Sequence, residues 1–161
     1  MTAISCRSLA VAVGILAIAS SGFGIDQYEL PPIEYSQSTP DNRVAALQAA
    51  LSRRPDSLVR EPRFGYLRDL LKHLEVHEDS QLLVFSKTSM QRDRISPRTP
   101  RAIYFNDDTY VGYCHGGDVI EIAAAEPQLG SVFSTLDQKE VAAPQITRQT
   151  QRCLQCHGGT Q

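Results

Sequence analysis

The chain lacks an excess of charge of either sign, since 16 basic and 18 acidic side chains leave a formal net charge of −2 over 161 residues. A broad electrostatic attraction for nucleic acid or for an anionic membrane surface is therefore not expected. A Gly-rich phosphate loop, a G-x-S-x-G elbow and an H-E-x-x-H helix are also missing, so these kinds of catalytic site are not indicated. With 42% hydrophobic and 21% charged residues, the composition excludes a collagen, a coiled coil and a polytopic membrane protein and indicates one ordered domain.

Long hydrophobic runs are scarce, and the one that stands out covers residues 9–19, which is too short for an ordinary membrane span of about 20 residues. Arg7 precedes this run, and Ala17-Ile18-Ala19 supplies an A-x-A cleavage site before a polar stretch. Residues 1–19 are therefore expected to be a secretory signal peptide, with an uncleaved anchor as the alternative. Cleavage predicts a periplasmic or secreted protein that is not stably inserted in a membrane.

Two amphipathic stretches predict helices early in the mature chain. Residues 20–37 are polar and contain the Pro31-Pro32 pair, which indicates a leader arm. A helix capped by Ser38 or Thr39 is expected next. Its apolar residues recur at helical spacing: Val44, Leu47 and Leu51. A second helix is expected over residues 62–76. It carries one apolar stripe, formed by Phe64, Leu67, Leu70, Leu71 and Leu74. Together the two helices predict a helical hairpin.

After Asp79 the hydrophobic pattern changes to short runs that are typical of strands. Strands are expected over residues 82–85, 102–105, 109–113, 119–123 and 131–136. Turn-like residues separate neighbouring runs, which favours a small antiparallel meander. The sequence therefore predicts an α+β fold over residues 38–141, with an N-terminal helical hairpin followed by a small antiparallel sheet. Residues 142–161 are expected to be a polar connector that ends in a short helix.

The chemistry concentrates in that terminal segment, where Cys153-Leu154-Gln155-Cys156-His157 forms C-x-x-C-H, the attachment signature of c-type haem. Two thiols separated by two residues can each add to one vinyl group on the same edge of a porphyrin. The adjacent His157 can then bind the iron. The motif predicts haem c held covalently by Cys153 and Cys156, with His157 as the metal ligand.

Other interpretations of the same cysteines remain open. Cys153, Cys156 and His157 could form part of a zinc site, completed by His77 or Cys114, although adjacent Cys and His side chains are awkward ligands for one tetrahedral ion. The motif could also be a redox C-x-x-C pair. Such a pair normally opens a helix near the start of a chain, after a strand, whereas here it stands near the end of the sequence. A structural disulfide is the simplest alternative.

By this motif the chain resembles the bacterial c-type cytochromes, and that resemblance covers residues 153–157. More loosely, the preceding stretch over residues 85–136 looks like a segment found before C-x-x-C-H in uncharacterised secreted bacterial proteins. The resemblance implies that Cys153 and Cys156 carry the thioethers and that His157 is the proximal iron ligand. It also implies one-electron transfer to a redox partner protein or to another haem domain.

The chain departs from the usual small cytochrome because only residues 158–161 follow the motif. Small class I cytochromes take a distal ligand and much of the haem pocket from downstream chain, and class II cytochromes, which place the motif late, are four-helix bundles. Either the upstream domain covers the haem, or the chain is the N-terminal part of a longer cytochrome c domain-containing protein, and we favour the second. The candidate distal ligands are His73, His77, His115 and Met90.

Two further features have ordinary structural explanations beside functional ones. Cys114-His115-Gly116-Gly117 repeats the tetrapeptide that begins at Cys156, which suggests a second haem-attachment site. Val111, however, stands where the first cysteine of that site would be needed. A hairpin turn is the simpler account of that repeat. A second feature is a loop rich in arginine, which suits either haem propionates or ion pairs with Asp107 and Asp108. The arginines are Arg92, Arg94, Arg98 and Arg101.

These observations rank three functions. An electron carrier needs only a ligated and partly buried haem. A haem enzyme of peroxidase-like type would also need a distal acid or base, and no distal His–Arg catalytic pair can be placed from the sequence. The third is a zinc-binding or interaction module that uses the terminal cluster.

Overall fold

The computed structural model describes residues 27–151 and 153–157, so the predicted signal peptide lies outside the described residues. The helices are α1 (Arg43–Arg53), α2 (Leu67–His73) and α3 (Leu154–His157). The strands are β1 (Leu82–Val84), β2 (Arg101–Phe105), β3 (Thr109–Cys114), β4 (Val119–Glu126), β5 (Gly130–Asp137) and β6 (Ile146–Arg148). Within this part of the chain, none of the helices has the length and apolar character needed to cross a membrane.

The six strands form one antiparallel sheet in which each strand pairs with the next along the chain. The predicted meander is thus present, and its register follows from the alternation of apolar and polar residues. In β4, for example, Ile120, Ile122 and Ala124 are buried while the residues between them are partly exposed. Their partners across β3 are Tyr113, Val111 and Thr109, which are buried on the same face.

The predicted fold class is wrong, because the part of the chain that the structure describes is predominantly β, and α1 and α2 do not pack along one another as a hairpin. The second helix occupies only Leu67–His73 of the expected residues 62–76. Two backbone hydrogen bonds between Glu61 and Gly65 close a tight turn there, and Gly65 takes a φ of +58° that glycine adopts without strain. The helix therefore cannot begin before this turn. At its other end, Glu75 has a φ of 55° and stops it.

The helices instead lie on one face of the sheet and bury a common core. The first helix begins at Arg43, later than expected, because the side chain of Asn42 accepts a hydrogen bond from the backbone N–H of Ala45 at 3.0 Å and caps it. The core joins both helices to the inner face of the sheet. Its most deeply buried members are Leu70, Leu74, Val111, Ile120 and Leu136.

A second, smaller cluster joins the segment before α1 to the far end of the chain. It contains Tyr35, Leu129, Val132 and Leu154, all buried. Arg148 of β6 fixes the approach of this segment: its guanidinium lies 4.5 Å from the centre of the Tyr35 ring and donates a hydrogen bond to the Ser38 carbonyl at 2.6 Å. Tyr35, which belongs to the expected polar arm of residues 20–37, is therefore one of the most buried side chains among the described residues.

We expect Leu136→Ala to lower the free energy of unfolding by about 2–5 kcal/mol, because Leu136 is fully buried between Ile120 and Ile146 and its removal leaves a cavity. Urea unfolding followed by circular dichroism measures this loss. The control is Leu82→Ala in β1, where the side chain is 56% exposed and the loss should stay within about 0.5 kcal/mol. Equal losses would contradict the placement of the core.

Candidate haem-attachment site

The terminal motif forms a single helical turn that is attached to the sheet through Leu154. Cys153 directly precedes α3, and the backbone N–H of His157 donates to the Cys153 carbonyl at 3.1 Å, which closes the turn. Leu154 is buried in the second cluster beside Tyr35 and Val132. Since one turn of helix is marginal alone, this apolar contact holds the turn in place.

The imidazole of His157 packs on an aromatic ring of the neighbouring strand. Its ring centre lies 4.9 Å from that of Phe133 in β5, with an angle of 33° between the planes. The chain reaches this position because the backbone N–H of Gln149 donates to the Phe133 carbonyl at 2.8 Å, which guides the segment after β6 along β5. His157 itself remains exposed. Its ring is thus supported on one side and accessible on the other.

Cys153 lies close to the phenol of Tyr35. Burial raises the pKa of Tyr35, and the ionised Cys153 thiol would raise it further, while Arg148 and a backbone hydrogen bond act in the opposite direction. The Tyr35 hydroxyl donates to the Ser131 carbonyl at 3.1 Å and accepts from the Phe133 backbone N–H at 3.3 Å. Tyr35 therefore ties the strand that carries Phe133 to the segment beside Cys153.

The predicted distal ligands lie in other parts of the fold. His73 contacts the Ser57 carbonyl at 3.1 Å from the end of α2. His77 accepts a hydrogen bond from the backbone N–H of Asp79 in the connection between α2 and β1. His115 is exposed in the turn between β3 and β4, and the backbone N–H of Met90 donates to Glu121 at 2.7 Å. None of these four residues is placed beside His157 within the part of the chain that the structure describes.

Cys114 is the last residue of β3. Its side chain is buried next to the Arg101 and Glu121 pair, and burial together with the nearby Glu121 carboxylate raises the pKa of its thiol. A raised pKa disfavours the thiolate that metals bind. Among the described residues, moreover, no group of three His, Cys, Asp or Glu side chains is arranged to hold a metal ion.

The arginine-rich loop makes structural ion pairs with partners other than those expected. Arg94 binds both carboxylate oxygens of Asp118 through one of its terminal nitrogens, each at 2.8 Å. Arg101 pairs with Glu121 at 2.7 Å, and both side chains are largely buried. The sequence offered Asp107 and Asp108 as nearer partners along the chain, but hairpin geometry brings Asp118 and Glu121 across instead.

The residues at the terminal motif suit haem c in the chemistry of their donors. A porphyrin supplies four nitrogens to its iron, so one accessible imidazole is sufficient on the protein side. His157 is accessible and supported by Phe133, while Cys153 stands one helical turn before it. The sequence did not indicate Phe133 or Tyr35 as neighbours of the motif. Their aromatic character was the only available signal, and it is shared by many core residues.

No protein-family model, no curated protein and no solved structure matches the chain. Its function is therefore inferred from its own residues.

We expect Leu154→Ala to release α3 from the sheet while the core stays folded. Loss of the buried side chain should cost about 2 kcal/mol locally, which corresponds to roughly 30-fold faster amide exchange at the His157 N–H. Hydrogen exchange followed by mass spectrometry compares peptides covering residues 149–157 with peptides from β3 and β4. Val141→Ala, at an exposed position, serves as the control. Unchanged exchange in the terminal peptide would show that Leu154 does not hold the turn.

Proposed function

We propose that this chain attaches haem c covalently through Cys153 and Cys156, with His157 as a ligand of its iron, and that it transfers single electrons. The observation that carries the proposal is the C-x-x-C-H motif on a helical turn fixed to the sheet, with the His157 ring exposed and supported by Phe133. Bound haem would supply an iron that cycles between two oxidation states.

The residues of the chain have separate tasks in this function. Cys153 and Cys156 provide the thiols that become thioethers, and His157 provides the ligand nitrogen. Leu154 fixes the turn by burial, and the Phe133 ring limits the rotation of the imidazole. A ligand that is already oriented loses less conformational freedom when it binds metal.

Electron transfer is better supported than peroxidase-like catalysis. A peroxidase-like site needs an acid or base on the side of the iron opposite the proximal ligand. The histidines that could serve are placed at the end of α2, before β1 and in the β3–β4 turn. A zinc module is less supported, because its candidate fourth ligands, His77 and Cys114, lie away from His157 in the described residues.

Export belongs to the same proposal. Haem c is assembled outside the bacterial cytoplasm, and the predicted signal peptide would deliver the chain to the periplasm or the medium. The partner would be a redox protein or another haem domain, and nothing in the charge of −2 favours nucleic acid.

The test is expression of the chain with a cytochrome c maturation system. Covalent haem survives denaturation and acid–acetone extraction, so the purified protein should give an alkaline pyridine haemochrome spectrum after both. Protein mass should increase by one haem. An unmodified mass in correctly exported protein would overturn the proposal, and stoichiometric zinc in that protein would favour the zinc module.

A further inference from the structure

The face of the sheet that points away from α1 and α2 carries an aromatic row whose rings in β2 and β3 are exposed. We define this row as Phe105, Tyr110, Ala123 and Phe133, which are direct partners across β2, β3, β4 and β5. The rings of Phe105 and Tyr110 stack with centres 6.0 Å apart and planes inclined by 19°. Phe105 is 41% exposed and Tyr110 is 49% exposed. Two stacked rings open to water on one sheet face form an apolar surface that lacks a partner within the described chain.

The end of this outer face that lies away from the row is covered by a loop. The loop between β1 and β2 crosses the face near Cys114. Its Ser89 hydroxyl and Met90 backbone N–H bind Glu121, and the buried side chain of Gln91 donates to the Val119 carbonyl at 2.8 Å. The row lies at the opposite end, beyond this cover. The exposed rings of the row therefore lie outside the area that this loop covers.

The row ends at the predicted iron ligand. Phe133, its member in β5, is the residue on which the imidazole of His157 packs. From β5 to β2 the row crosses three strand spacings, about 14 Å, which is comparable to the width of a porphyrin. Its member in β4 is Ala123, whose methyl side chain is much shorter than the rings on either side of it.

We infer that the aromatic row is the surface on which the haem of this same chain rests, with Phe133 beside the ligand His157 and with Tyr110 and Phe105 beneath the macrocycle. This inference rests on the proposed function. A porphyrin is a large apolar plate, and covering it together with the two exposed rings removes apolar area from water on both surfaces. Because the row adjoins the imidazole, it would line the His157 side of the haem and leave the opposite side open.

A second copy of this chain is the competing occupant of the row, and contact with His157 favours the haem. A dimer seated there would cover Phe105 and Tyr110 whether or not haem were present. The haem would cover them only after attachment. Labelling of the exposed rings in protein with and without haem therefore distinguishes the two.

The experiment compares hydroxyl-radical labelling of protein made with and without the maturation system. Tyr110 is the one exposed tyrosine among the six, so its labelling can be told apart from that of the others. We expect labelling of Tyr110 and Phe105 to fall several-fold in the haem-bearing protein. Phe85, which is 55% exposed and lies outside the row, should be labelled equally in both. Equal labelling of the row in both proteins, or protection that depends on protein concentration in both, would overturn the inference.

A pair of variants provides a spectroscopic readout. Phe105→Ser with Tyr110→Ser should remove much of the circular dichroism in the Soret band, measured per bound haem, because that signal arises from coupling to nearby aromatic rings. Phe85→Ser should leave that band unchanged. A Soret signal unaffected by the double variant would overturn the inference while leaving the proposed function in place. If the unaltered chain took up no haem at all, both the inference and the proposed function would be overturned.

Discussion

Replacing Cys153 and Cys156 together by alanine is expected to abolish covalent haem attachment. Each thioether requires one thiol, so the double variant has no residue in the motif that can form the bond. Each single variant should keep at most one thioether and give a lower yield of haem-bearing protein. The measurement is the haem-to-protein ratio from the pyridine haemochrome after denaturing extraction, together with the mass of the intact chain.

Cys114→Ala is the matched control for these variants. Cys114 is buried at the far end of β3 beside Arg101 and Glu121, and its raised thiol pKa disfavours the reactive thiolate. We therefore expect haem content per folded molecule to equal that of the unaltered chain. If Cys114→Ala removed the haem while Cys153→Ala did not, haem would be attached elsewhere than at the terminal motif.

The haem-bearing protein is expected to bind external ligands at the iron position opposite His157. Carbon monoxide should bind the reduced protein close to stoichiometrically, and imidazole should convert the oxidised protein to a low-spin spectrum. The reason is that the candidate distal ligands are placed away from His157 within residues 27–151, where they make contacts of their own. Absorption spectra recorded during titration measure both reactions.

Four conservative variants control for an internal sixth ligand. They are His73→Gln, His77→Gln, His115→Gln and Met90→Leu. Each should leave the spectrum and the carbon monoxide titration unchanged. A low-spin spectrum before any addition, lost in one of these variants, would contradict the expectation and identify the residue that moves to the iron.

The strands were predictable because each alternates apolar and polar residues against a sheet with one buried face. The run expected over residues 119–123 became β4, Val119–Glu126, with only its end extended by pairing to β5. β6 was not foreseen. Ile146–Arg148 has only three residues, and its strand character comes from the hydrogen bonds that β5 offers to it. A sequence pattern does not contain that partner.

For the second helix the error was to predict too much regular structure, whereas β6 was missed. Its apolar stripe is present, but the turn closed between Glu61 and Gly65 takes the first residues out of the helix. The stripe still reaches the core because a turn and a short helix can bury the same side chains. Periodicity thus predicted which residues are inside more accurately than it predicted the shape of the backbone.

The sequence by itself determined the meander of strands, the core residues of the two helices and the C-x-x-C-H motif, since each depends on the spacing of residues close together along the chain. Tertiary structure alone decided that Tyr35 and Leu154 share one cluster, that His157 packs on Phe133, and that Phe133 lies in one row with the exposed rings of Tyr110 and Phe105. These neighbours are separated by many residues. They meet because strand pairing and the burial of Leu154 fix positions that local spacing does not constrain.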